Sequence, residues 1–95
     1  MTSVRWSGPA RLDMAEIDTY YADRAPEFAD RVLLQAIAAA HFLSEHPHAG
    51  PQIGLGPARK WRVRDTPHLL NYVFEGGDIH ILRVRHERQY WRPRS

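Results

Sequence analysis

Ninety-five residues, 43% hydrophobic and 25% charged with a formal net charge of +2, have the composition of one small globular domain spanning residues 1–95. The chain has no cysteine, which excludes a disulfide framework, a thiol nucleophile, a cysteine zinc site and an iron–sulfur cluster, and points to a reducing cytoplasm. No apolar run approaches the ~20 residues that cross a bilayer, and a core this thin leaves no room for a deep cofactor cavity, so neither a membrane nor a cofactor is expected.

Residues 3–6 read as a short strand, because Val4 and Trp6 alternate with Ser3 and Arg5. Ser7 is placed to cap a helix and Pro9 falls in its first turn, where a missing N–H costs nothing. That helix is expected over residues 8–24, with Ala10, Met14, Ile17 and Tyr21 as its apolar stripe, widened by Tyr20, and with Asp13, Glu16 and Asp18 towards the other side. Ala25-Pro26 interrupts it and Glu27 favours a new start. The second helix runs to about His46 on an apolar face of Ala29, Leu33, Ala36, Ile37, Ala40 and Leu43, and Pro47 blocks its continuation.

Residues 47–57 hold three prolines and three glycines without hydrophobic period and read as a connecting loop. Three strands follow. Trp61 and Val63 alternate with Lys60, Arg62 and Arg64; Asp65-Thr66-Pro67 turns the chain; residues 68–75 form a strand rich in Leu, Tyr, Val and Phe. Gly76-Gly77 then separates it from residues 78–86 by the two-residue spacing of a tight hairpin that needs positive φ at both positions. Simple alternation puts Ile79, Ile81, Arg83 and Arg85 on one side of the last strand and His80, Leu82, Val84 and His86 on the other. The expected fold class is α+β: an N-terminal strand, an antiparallel helix hairpin and a three-stranded antiparallel meander, forming one sheet packed on the helices, with an Arg-lined opposite face.

Charge divides along the chain. Residues 1–58 carry four basic and seven acidic side chains, whereas residues 59–95 carry nine basic and four acidic ones. Twelve of the thirteen basic residues are Arg, the side chain suited to bidentate pairing with phosphate or carboxylate, so the second half is built to meet a polyanion or an acidic protein segment unless it is simply a solvated strand surface. His41 and His46 stand five apart on a helix and face different ways, which argues against a metal site. Gly50, Gly54 and Gly56 lack the strand and the Lys-Ser/Thr of a phosphate loop. No basic recognition helix appears, so sequence-specific DNA binding by this chain alone is not expected.

Several segments, in order, resemble the ParE branch of the RelE/ParE toxin superfamily. These are Trp6-Ser7 with Ala10, Asp13, Ile17 and Tyr20-Tyr21; Ala29 and Leu33; His46-Pro47 and Gly50; Gly56 and Arg59; Tyr72-Val73-Phe74; and the run from Ile81 through Arg83 to His86, followed by Arg88. The resemblance implies the toxin of a bacterial type II toxin–antitoxin pair, neutralised by a small ParD-like, ribbon–helix–helix antitoxin with an acidic segment. It also implies two mechanisms on one fold, poisoning of DNA gyrase or cleavage of messenger RNA in the ribosomal A site, and fold alone does not choose between them.

Metal-free RNA cleavage needs a base, an acid and cations on the phosphate. His86 or Tyr90 could move protons, and Arg59, Arg62 and Arg83 could hold the phosphate. The helices, however, are net acidic and the chain has a single lysine, Lys60, which disfavours docking on ribosomal RNA. The gyrase reading needs only a binding surface and is preferred, with no catalytic residue. On that reading Arg59, Arg62 and Arg83 meet antitoxin carboxylates, and Arg88, Tyr90 and Trp91 of the basic tail meet the target, since Tyr, Trp and Arg are the residues of interface anchors.

Overall fold

The structure, a computed structural model, describes residues 2–88. The chain runs β1 (Val4–Trp6), α1 (Gly8–Tyr21), α2 (Pro26–Glu45), β2 (Arg59–Arg62), β3 (His68–Glu75) and β4 (Asp78–His86). One sheet forms in the order β1-β4-β3-β2, with β1 parallel to β4 and the other neighbours antiparallel. This is the α+β arrangement expected from the sequence.

Ser7 caps α1 as its position suggests. Its Oγ accepts from the Ala10 amide at 3.0 Å and donates to the Leu82 carbonyl at 2.8 Å, while its own amide donates to the Ile81 carbonyl. One side chain therefore starts the helix and fixes it to β4. α1 ends at Tyr21, a turn earlier than the pattern indicates. Pro26 disfavours helical backbone at Ala25, which sits at φ −158, so the chain unwinds through residues 22–24 and Arg24 caps the Tyr20 carbonyl with its guanidinium.

α2 buries Ala29, Val32, Ala36, Ala39, Ala40 and Leu43. The inward stripe is thus rotated from the expected one: Leu33 is half-buried and Ile37 lies exposed, while Val32 and Ala39 take the core positions. An alanine-rich face lets the helix lie close to the sheet and leaves the bulkier Leu34 and Ile37 outside. On α1, Tyr20 is exposed and does not widen the stripe, and Asp13 is buried instead of facing solvent.

Gly76 and Gly77 adopt φ of 63° and 82°, the double positive φ of a tight hairpin. β2 stops at Arg62, and Val63 enters the core beside a turn in which Thr66 Oγ1 donates to the Val63 carbonyl. The larger departure is in β4. Tyr72 pairs with Ile81 but Asn71 pairs with Arg83, so Leu82 is an extra residue and the side-chain alternation slips by one. Ile79, Ile81, Val84 and His86 therefore share the helix-facing side with Leu70, Tyr72, Trp6 and Trp61, which corrects the split read from simple alternation. The opposite face carries Lys60, Arg62, Asn71, Leu69 and Arg85.

The loop after α2 is stitched to the core through Tyr72, whose hydroxyl donates to the Pro47 carbonyl and accepts from the Gly50 amide. A Cβ on Gly50 would collide with the Lys60 carbonyl and crowd the Tyr72 ring, whereas one on Gly56 meets nothing within 4 Å. Gly50→Ala is expected to lower unfolding free energy by about 2 kcal/mol in urea titrations, as overpacking against fixed backbone does. Gly56→Ala should leave the midpoint nearly unchanged, and equal effects of the two would contradict this packing.

Candidate functional site

Two places gather the chemistry that the sequence singles out. The first is the junction of α1 with the end of β4. The Asp13 carboxylate accepts two hydrogen bonds from Arg83, at 2.8 and 2.9 Å, and a third from the Val84 amide at 2.8 Å. Burial opposes its ionisation, but the Arg83 hydrogen bonds, the Val84 amide and the charges of Arg83 and Arg85 outweigh that and hold the carboxyl below its ordinary range. One turn of strand further on, the His68 and His86 rings meet edge to face at 5.3 Å. His68 is buried, and its Nδ1 has no hydrogen-bond partner among the described residues. Burial first, and the neighbouring His86 second, push its pKa down to about 4, so the ring is neutral at physiological pH. His86 accepts the Arg88 amide at Nδ1, 3.1 Å away.

Among the described residues, Arg59 stands apart from the other nuclease candidates, Arg83 and His86, which lie near the end of β4. Arg83 grips Asp13. Arg59 lies in the row of Tyr72, four residues along β3 from the His68–His86 row, a separation of about 13 Å at the usual strand rise. It donates to the Gly50 carbonyl at 2.6 Å and to His48 at 3.4 Å, holding the loop. Arg62 bridges the Thr66 carbonyl and the Glu87 carboxylate, at 3.1 and 2.7 Å. Arg88 is exposed, and Tyr90 and Trp91 lie outside the described residues.

The second place is a groove of about 430 Å³ between α2 and β2. Gln35, Ala38, Ala39 and Phe42 form one wall and Trp61, Arg62 and Arg64 the other. Phe42 stacks on Trp61 with centroids 5.3 Å apart and planes 13° apart, and also on His46 at 4.5 Å. The floor is apolar and the rim cationic. Of the arginines expected to meet a partner, only Arg62 borders this groove; Arg59 and Arg83 do not. Phe42 is not among the residues that the apolar period marks, although an aromatic one position off the Leu43 stripe is the kind of residue that lines a helix flank.

The family of the ParE toxin of the type II toxin-antitoxin system, parDE, matches residues 4–91. Toxin RelE2 of Caulobacter vibrioides is 31% identical over 86 residues, spanning 90% of this chain and 96% of that protein. A solved structure described as the chromosomal ParDE TA system from P. aeruginosa has the same fold, with a TM-score of 0.75 at 22% identity over 90% of this chain and 96% of its own.

The buried imidazole gives a pH signature. Between pH 6.5 and about 4 the unfolded chain binds a proton at residue 68 that the folded chain refuses, so stability falls as pH drops through that window. The loss is on the order of 3 kcal/mol at its lower end. Asp13, with its carboxyl depressed, contributes stability that is present above pH 3.8 and is lost only below it. Urea unfolding followed from pH 7 to 4 should show this slope in the wild type and a flatter one in His68→Gln; parallel curves would show that His68 is not the group responsible.

Proposed function

The chain belongs to the ParE family of type II toxin–antitoxin toxins, and from that membership we propose that it arrests bacterial growth by acting on DNA gyrase and is neutralised by a ParD-like, ribbon–helix–helix antitoxin. The observation that carries the choice of target is the bidentate lock of Asp13 on Arg83. RNA cleavage needs a strand arginine on the scissile phosphate and a proton-transfer group beside it. Here the arginine is held by a carboxylate of its own chain and His86 leans on a buried neutral histidine, while Arg59 serves a loop. A binding mechanism asks for none of these groups to be released.

The antitoxin reading is supported by the α2/β2 groove. An amphipathic acidic segment would lay apolar side chains over Phe42 and Trp61 and bring its carboxylates to Arg62 and Arg64. Arg59 and Arg83 do not border the groove and leave that contact set, whereas Arg62 stands at its edge and would exchange Glu87 for a carboxylate of the antitoxin. Arg88, with Tyr90 and Trp91 beyond it, stays assigned to the target. The site of action would be the cytoplasm, where gyrase works, and no helix among the described residues is long and apolar enough to cross a membrane. Residues 1–95 would act as one domain.

Expressed without an antitoxin, the protein should cause filamentation and a DNA-damage response while bulk messenger RNA stays intact, and purified protein should inhibit gyrase supercoiling. Codon-specific cleavage of ribosome-bound messages that is lost in His86→Ala would overturn the gyrase reading. For the antitoxin, Phe42→Ala should weaken calorimetric binding of the acidic segment about tenfold or more, as removal of an aromatic anchor does. Undiminished binding would place the antitoxin elsewhere.

A further inference from the structure

The loop between α2 and β2 ends in an unusual tip. Residues 51–60 fold back as a short hairpin on the outer edge of β2: Gln52 bridges Arg59, the Ile53 amide donates to the Ala58 carbonyl at 2.8 Å, and the Lys60 amide donates to Pro51 at 3.1 Å. Gly54 takes φ 61°, and the Gln52 side-chain amide ties across to the Gly56 carbonyl at 3.3 Å. At the apex stands Leu55, 105% exposed and without support from its own protein. Turn tips favour Gly, Asn, Asp and Ser, and nothing in the local backbone requires a large apolar residue there. At the base of the hairpin a hollow of about 430 Å³ opens between Pro51, Ile53 and Leu69, bordered by Lys60, Arg62 and Glu87.

We infer that Leu55 is a docking finger that enters an apolar pocket with an acidic rim on the folded target protein, with the hollow at its base receiving an apolar side chain in return. Three features carry this. The tip is held by several hydrogen bonds, so inserting it costs little ordering entropy. Residues 46–64 contain no Asp or Glu, and of the four cations that follow the tip Lys60 and Arg64 are exposed and lie outside the pairings that hold Arg59 and Arg62, so the partner surface is acidic. A projecting knob also needs a preformed pocket, which a folded target offers and a flexible antitoxin segment does not. The inference rests on the proposed reading that this chain acts by binding a protein target.

The test compares the full chain with Leu55→Asp and Leu55→Met. Leu55→Asp should raise the concentration for half-inhibition of gyrase supercoiling about tenfold or more. Its melting temperature and antitoxin affinity should stay at wild-type values, as expected for an exposed position. Leu55→Met should retain inhibition. A Leu55→Asp protein that inhibits like wild type, or one that loses antitoxin binding in parallel, overturns the finger. If wild-type protein arrests growth but does not inhibit supercoiling, the gyrase reading falls and the finger is judged on growth alone: relief of arrest by Leu55→Asp supports it, and undiminished arrest overturns it.

Discussion

β1 pairs with β4 only from Val4 to Trp6, while β4 continues to His86, so beyond Ile81 the outer edge of β4 has no strand beside it. The edge is closed by α1 instead. Ser7 serves the Ile81 and Leu82 carbonyls, and Asp13, further along the helix, takes the Val84 amide and the Arg83 guanidinium. A buried amide left without an acceptor costs about 1–3 kcal/mol, and a buried carboxylate without a cation costs more. Each satisfies the other here. The Leu82 bulge is part of the same device, because it returns Val84 and His86 to the helix side and sets the register in which Asp13 finds its partners.

This clamp also decides what the basic half of the chain can offer. An arginine-rich strand suggests an anion site, yet Arg5 is drawn to Asp78, Arg62 to Glu87 and Arg83 to Asp13. Much of the strand cation surplus is neutralised within the protein. What is left to face outward is Arg64 at the rim of the α2/β2 groove and Lys60 beside the loop tip, both joined to apolar surface. That combination suits contact with proteins more than grip on a phosphate backbone.

How far the sequence discloses this follows the range of the interactions. Ser7, Pro26 and Gly76-Gly77 act within a few residues of themselves, and the elements they bound appear where local rules put them. Asp13 was legible only as a polar residue on a helix, because its partners lie 70 and 71 residues away. The bulge does leave a trace, since the apolar–polar alternation of Ile79-His80-Ile81 breaks at the apolar pair Ile81-Leu82 and resumes one residue out of phase at Val84, but simple alternation over the whole strand passes over that break. The orientation of α2 differs for a related reason: the apolar period puts Ile37 in the core, whereas the close sheet favours Ala39. Arg59 and Arg62 were identifiable as functional candidates, but the carbonyls and carboxylate that occupy them belong to distant segments. The Phe42–Trp61 groove joins residues from two elements and exists only once they pack.

The claim on which the rest depends is that Asp13 and Arg83 act as one structural unit and that Arg83 is not an anion-gripping group held in reserve. A double-mutant cycle measures this directly, with urea unfolding of Asp13→Ala, Arg83→Ala and the double variant. Arg83 is partly exposed, so solvent screening limits the pair to a coupling of about 1–2 kcal/mol. A coupling of that size, with each single change destabilising, is the expected result. Additive effects, with Arg83→Ala leaving stability unchanged yet abolishing growth arrest, would contradict it and return Arg83 to the functional surface.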